Sequence, residues 1–394
     1  MDHVAMRQQN AAQTLAILFR TGPMKMAALQ RESGLSRRTL ELILDDLIAS
    51  GWVTEINSTP VRTVGRPARS FGFRYGAAHL VALQLEAGQI QATVADLAAE
   101  VLGERRMTLP IATSRHERLA LLDRCVAGLL GAAGVERSSV VAVTVSTPGI
   151  VQDDGTIDLP MTMPDWTGFS LSDAVGQLFD CPVRVENDAK LAALGEKWSR
   201  DGEVRDFVYV FADEARIGIG LVVQNELYRG RDGGAGEITW APQLGLHALS
   251  SPALDGLDDE DAPAHATAQA IVDAARAGET EALAEIRKVA EALVPAITAI
   301  AWLIAPEEII LGGTLGTIQD LLLPALETAL EGNDRPIWSK LRGSQFGERS
   351  VLTGCLRMCV ESLSEDLFVP SRVGAIRPDG ILGPGELYAD ASTG

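Results

Sequence analysis

Cysteines and long apolar runs are both scarce in this 394-residue chain, and each scarcity excludes a class of protein. Four cysteines (Cys125, Cys181, Cys355 and Cys359) are too few and too scattered for the disulfide framework of a small secreted domain. No stretch approaches the ~18 uninterrupted apolar residues of a membrane span. The N-terminus, Met1-Asp2-His3-Val4, has neither the basic cap and apolar core of an export signal nor an Arg-rich amphipathic run. The chain reads as soluble and cytoplasmic, with no membrane partner. Hydrophobic residues make up 46%, enough for a full-sized core, which excludes a disordered tail. The length fits two or three domains.

Basic charge is scarce except at one end. Residues 1–75 carry ten Lys and Arg against six Asp and Glu, whereas the remaining 319 carry 24 against 47. A head at +4 thus precedes a body at −23, for the net −19. An acidic body is unsuited to wrapping phosphate backbones, but a small basic head can grip one locally.

Within the head, residues 9–50 divide into three short helical patterns. Leu15, Leu18 and Phe19 share a face of the first, which Gly22-Pro23 ends. Met26 to Ser33 stops at Gly34, and Ser36 is placed to cap a third helix carrying Leu40, Ile43, Leu44, Leu47 and Ile48 at helical spacing. The short Ser33-Gly34-Leu35 connection fits a helix-turn-helix. With the apolar stripe inward, Ser36, Arg37, Arg38 and Thr39 lie at the end of the helix that enters a major groove. Trp52–Ile56 and Phe71–Arg74 alternate as two strands of a wing, joined through Val64-Gly65-Arg66-Pro67-Ala68-Arg69. Arg66 and Arg69 on that extended loop suit a narrow minor groove. The competing reading is a trihelical protein-interaction module whose arginines are merely solvated.

From Leu80 the period changes. Residues 81–86 and 90–96 read as strands joined by Ala87-Gly88-Gln89, 116–131 as an amphipathic helix, and 140–145 as a buried strand. Val183-Arg184-Val185 leads into Glu186-Asn187-Asp188 and a helix through Gly195. Residues 207–211 and 219–223 are further strands, and 281–305 is a long helical pattern that Pro295 should kink or divide. Ile309-Ile310-Leu311 precedes a Gly312-Gly313 turn. Interspersed strands and helices give an α/β body.

Five motifs then stand in order: Ser146-Thr147-Pro148-Gly149-Ile150, Pro164-Asp165-Trp166-Thr167-Gly168-Phe169, Val185-Glu186-Asn187-Asp188-Ala189, Arg229-Gly230-Arg231-Asp232-Gly233-Gly234-Ala235-Gly236-Glu237-Ile238 and Pro306-Glu307-Glu308-Ile309-Ile310-Leu311-Gly312-Gly313. With the winged head, they resemble the ROK family (repressors, open reading frames and sugar kinases), specifically its transcriptional regulators, over about residues 8–365. The resemblance implies an N-terminal winged helix-turn-helix at 1–75. Behind it stands a two-lobed, actin-like, sugar-kinase-like ROK body with lobes at 76–190 and 191–394. It also implies a homodimer or homotetramer.

Departures from the kinase pattern bear on activity. The kinases open the body with an Asp-x-Gly-Gly-Thr turn that holds ATP phosphates; Gln84, Leu85, Glu86, Ala87 and Gly88 stand there, and a carboxylate at Glu86 repels phosphate. The second phosphate loop aligns with Glu214-Ala215-Arg216 before the retained Ile217-Gly218. Losing both loops should remove phosphoryl transfer, which depends on positioning and charge stabilisation. The family's zinc knuckle is also absent. Thr239-Trp240 replaces its Gly-His, 244–261 has no cysteine, and His247 alone cannot make a four-coordinate site. Cys355 and Cys359, at helical spacing, read as buried thiols. No metal and no cofactor is expected.

The ligand cleft is carried over residue by residue. Asp188 matches the kinase base, and Asn187 and Glu237 match contacts to sugar hydroxyls, chemistry that suits a polyol. Asn187 and Asp188 also suit the N-cap of the helix they open, and Glu237 an exposed loop carboxylate. Thr162 stands for a kinase Asn and Trp240 for a sugar-binding His, so Trp240 either stacks on a ligand or fills the place of the knuckle. The acidic loop 256–261 reads as solvated, and the closing residues 389–394 as disordered. The leading expectation is a non-enzymatic DNA-binding regulator, a repressor of double-stranded DNA controlled by a sugar-like effector. The alternatives are an ATP-dependent sugar kinase and a ligand-independent regulator controlled by a protein partner.

Overall fold

The structure is a computed structural model that describes residues 3–56, 69–199, 204–213, 216–246, 249–257, 263–331, 337–368, 376–377 and 380–381. The head holds α1 (His3–Thr21), β1 (Met24–Lys25), α2 (Met26–Ser33), α3 (Arg37–Ala49), β2 (Val53–Ile56) and β3 (Ser70–Phe73). Gly34 ends α2 in the left-handed conformation at φ 70°. The Ser36 side chain accepts from the Thr39 amide and so caps α3. Leu40, Ile43, Leu44 and Leu47 bury their face against Leu15, Leu18, Leu29 and Trp52. β2 and β3 pair antiparallel as the wing, and β1, which the sequence pattern did not show, adds a third strand beside β3.

The first lobe follows as β4 (His79–Leu85), β5 (Gln89–Asp96), β6 (Val101–Thr108), α4 (Arg115–Ala133), β7 (Val140–Thr147), β8 (Ile150–Val151), β9 (Ile157–Asp158), α5 (Leu171–Gly176), β10 (Val183–Asn187) and α6 (Asp188–Ser199). The second holds β11 (Phe207–Asp213), β12 (Arg216–Val223), β13 (Glu226–Leu227), α7 (His265–Arg276), α8 (Thr280–Leu303), β14 (Glu308–Gly313), α9 (Thr314–Thr317), α10 (Gln319–Glu331) and β15 (Lys340–Gly343). After these come α11 (Ser350–Leu367) and a two-residue hairpin, β16 (Ile376–Arg377) with β17 (Gly380–Ile381). The expectation for 389–394 lies outside the described residues.

Both lobes repeat one topology. The sheets run β10-β7-β4-β5-β6 and β13-β12-β11-β14-β15, each with three strands parallel and two added antiparallel. Helices α4 and α5 cover the outer face of the first sheet, and α7, α8 and α10 that of the second. The inner faces share α6 and α11. Gly195 of α6 meets Gly354 of α11 where a Cβ on Gly354 would lie 1.8 Å from the Leu191 carbonyl oxygen, so the two backbones touch directly.

The helix α11 then runs back past β4 and β7 to the head, where Phe368 packs on Phe19 with ring centroids 5.3 Å apart. Tyr75 Oη also donates to the Phe19 carbonyl at 2.5 Å, so head and body share one continuous buried cluster. Of the kink or division expected at Pro295, the division does not occur: α8 runs through it as one helix, with Leu293, Ala296 and Ile297 buried around it. No described helix is long and apolar enough to cross a membrane.

Candidate functional site

At the head, the N-terminal end of α3 gathers positive potential from two arginines and from the helix's own unsatisfied amides. Arg38 is exposed and makes no ion pair among the described residues. Arg37, with 71% of its side chain exposed, reaches only Glu41 one turn along at 2.9 Å. Ser36 and Thr39 are engaged with each other through the cap, hydroxyl to hydroxyl at 2.8 Å. Arg69 lies along the wing, its guanidinium bidentate on Glu55 at 2.8 and 2.7 Å and over the Phe71 ring. A nucleic-acid contact by Arg69 therefore requires exchange of an existing partner. Arg66 lies outside the described residues.

In the body, the parallel strand β10 delivers Asn187 and Asp188 to the end of the first sheet. Asn187 Nδ2 donates to the Gly149 carbonyl at 2.9 Å, and its Oδ1 accepts from the Lys190 amide at 3.2 Å. Asn187 thus caps α6 and ties it to the Ser146–Ile150 loop. Asp188, 7% exposed, accepts from the Ala189 amide at 2.8 Å. Glu237 is not the exposed loop carboxylate that a bare loop position suggests. Its side chain is 24% exposed and faces the Lys190 ammonium, itself fully buried, across 3.5 Å. Burial raises the Glu237 pKa; Lys190 opposes that, while Asp188 and Glu186 reinforce it.

Two further groups complete this set. Arg229 donates through Nε to Glu186 at 2.6 Å, through Nη1 to Asp153 at 2.5 Å and through Nη2 to the Val151 carbonyl at 3.0 Å. Burial works against the Arg229 charge, but Glu186 and Asp153 outweigh it and raise its pKa. The motifs contain Arg229 and Glu186, yet sequence reasoning gave them no role, and it missed Lys190 altogether. The available signal was a lysine set among Ala189, Leu191, Ala192 and Ala193. Thr162 and Trp240 make no hydrogen bond or ion pair with the set. The Thr162 hydroxyl is buried without a partner among the described residues, and Trp240 is half exposed on a turn.

The turn between β4 and β5 closes on itself. The Glu86 carboxylate is 7% exposed and accepts from Gln84 Nε2 at 2.5 Å and from Gln89 Nε2. Arg118, also buried, donates to the Glu86 and Ala87 carbonyls at 2.6 and 2.9 Å. A buried carboxylate thus occupies the turn between β4 and β5. Glu214 and Ala215 lie outside the described residues, and nothing is described of the Arg216 side chain.

Gly312 has a structural reason: a Cβ there would lie 1.8 Å from Tyr209 Oη, which donates to Ser350 at 2.8 Å. Cys355 and Cys359 are buried; burial raises both thiols, Cys359 to about 12. Among the described residues no three His, Cys, Asp or Glu side chains converge to hold a metal. His247 and residues 258–261 are outside them.

The sequence pattern of the ROK family matches residues 80–242 and 247–355. A xylose repressor of Caldicellulosiruptor bescii is 22% identical over 395 residues, covering 92% of this chain and 98% of the relative. The fold is similar to that of a ROK family transcriptional regulator described as a homologue of the Escherichia coli MLC protein, with TM-score 0.66 and 22% identity over 92% of this chain and 98% of that one. It is also similar to a ROK family glucokinase from Streptomyces griseus solved with glucose and AMPPNP, with TM-score 0.58 and 22% identity. That match takes in all of the glucokinase but 72% of this chain.

Proposed function

Because this chain belongs to the ROK family, we propose that it is a sugar-responsive transcriptional repressor without kinase activity. Arg37, Arg38 and Thr39 read base edges in a major groove, with Ser36 holding the helix end, and Arg66 and Arg69 enter the adjacent minor groove. Two copies place two heads on a pseudo-palindrome. A polyol in the cleft is held by Asn187, Asp188 and Glu237, flanked by Thr162 and Trp240. By linkage, that effector binds the DNA-competent state more weakly than the incompetent one.

The observation that carries this reading is Glu86, a buried carboxylate held by two amides in the turn that a kinase needs for phosphate, in a chain that also bears a winged head. The regulators among its relatives, a xylose repressor included, support it. Selection of genomic fragments by the purified protein at a stated salt concentration tests it. The expected result is a recurring two-fold-symmetric site, released by a neutral sugar; a folded protein that enriches nothing above random fragments sinks the proposal.

One observation favours a sugar kinase instead: Asp188 keeps its place at the head of α6. ATP turnover on a hexose panel, abolished by Asp188→Asn, is the result that would establish that alternative.

A further inference from the structure

The inner face of the first sheet is only partly covered. α11 packs along β7 and β4 and leaves β5 and β6 open beside it, where a cavity of about 350 Å³ forms. Thr93 and Glu104, register partners on β5 and β6, form its floor. Trp198 at the end of α6, Phe346 and Arg349 before α11, and Leu356 on α11 form its walls. This is a different place from the cleft. Asp188 and Ser199 stand at opposite ends of α6, separated by roughly 17 Å at 1.5 Å per residue.

Three features of the cavity remain unanswered by the protein itself. The Thr93 hydroxyl is buried, with Thr93 1% exposed, and has no hydrogen-bond partner among the described residues, a condition native interiors rarely leave standing. The Arg349 guanidinium, exposed at the rim, makes no hydrogen bond or ion pair among the described residues. The space between is lined by two aromatic side chains, Trp198 and Phe346, and by aliphatic ones, Val101, Leu352 and Leu356 among them. We infer that this cavity is a second small-molecule site, for a compact monocarboxylate with a ring-sized apolar body.

Its carboxylate meets Arg349, whose planar fork matches it bidentately. Its ring lies against Trp198, Phe346 and Leu356, and a polar substituent satisfies Thr93. Glu104 on the floor limits the ligand to one negative charge, because a second carboxylate there meets its like. The volume sits at the small end of the range for ligand pockets, in keeping with a ligand of one ring system. Trp198 presents one face here while Arg357 stacks against its ring at 5.7 Å, so the ring is already held in place.

Occupancy has a route to the head. Trp198 and Leu356 of the walls belong to α6 and α11, the two helices that touch at Gly195 and Gly354, and Phe368, directly after α11, packs against Phe19. A ligand wedged beside α11 bears on the helix that carries the head.

Calorimetry on the full chain with 4-hydroxybenzoate, indole-3-acetate and methyl 4-hydroxybenzoate tests the assignment. Saturable binding of the two acids is expected, with the uncharged ester at least about tenfold weaker. Arg349→Gln, an exposed replacement, should abolish the preference for acid over ester, and Thr93→Val should weaken 4-hydroxybenzoate. Glucose should not displace the acids, because its site is the cleft. No saturable heat from either acid, or acid binding untouched by Arg349→Gln, overturns the inference. Neither result bears on the repressor reading, which stands or falls on the fragment selection.

Discussion

At the head, Arg38 stands in solvent without an ion-pair partner among the described residues, and Arg37 meets Glu41 on its own helix. In the cleft, Lys190 is fully buried against Glu237, and Arg229 is clasped by Glu186, Asp153 and a carbonyl. The two regions use the same chemical groups under opposite conditions. Exposed arginines lose little on exchanging water for phosphate or a base edge, and they draw affinity from released counterions. Buried charges have already met their desolvation and ordering costs during folding, so a small ligand finds them oriented. On the proposed function, the surface that would take and release a polyanion is left loose, and the residues that would meet a polyol are held tight.

Removing the loose charges gives the largest expected effect. Arg37→Ala and Arg38→Ala should each cost about 1–3 kcal/mol of operator affinity, read by fluorescence anisotropy at fixed salt, with the melting temperature unmoved. Equal losses on operator and random DNA would make either arginine a phosphate clamp and blunt the comparison. On the tight side, Gly354→Ala puts a methyl 1.8 Å from the Leu191 carbonyl. Overpacking of this kind costs typically about 1–3 kcal/mol, seen as a lower melting temperature together with weaker effector binding.

Glu237 sharpens the contrast through pH. Burial holds its pKa above the ordinary 4.5. A raised folded-state value means that its contribution to stability is present in acid and lost as pH rises through that value. Effector affinity runs the other way, because hydroxyls are accepted by the ionised carboxylate. Calorimetric affinity should fall on acidification through a midpoint above 4.5, and Glu237→Gln should flatten the profile. The smallest effect belongs to Ser36→Ala, about 1 kcal/mol from loss of the α3 cap, detectable as faster amide exchange in the first turn of α3.

The helix-turn-helix was legible because its signals are local: a capping serine, a left-handed glycine and a stripe at helical spacing. The strand β6 was not, because it is an edge strand with most positions exposed, and Glu104, Arg105 and Arg106 erase any alternation. Pro295 does not divide α8, its local penalty being outweighed by the burial of Leu293, Ala296 and Ile297. Asn187, Asp188 and Glu237 could be read from ordered motifs. Lys190 could not, since a lysine in a helix ordinarily faces water. Here β11 and β12 of the second lobe pack against α6. The cavity beside α11 draws its walls from residues 93 to 356, so no local pattern announces it.

The contact of Phe368 with Phe19 bears on how this protein can be taken apart. The head is joined to the body by peptide only at its C-terminal side, yet it is also gripped by residues from the far end of the chain. A chimera that grafts a foreign head at Tyr75 would keep a partnerless Phe368 and lose the Tyr75–Phe19 bond. A stable graft therefore exchanges the residues around Phe368 together with the head, so the head as a packed unit is longer than its own run of sequence.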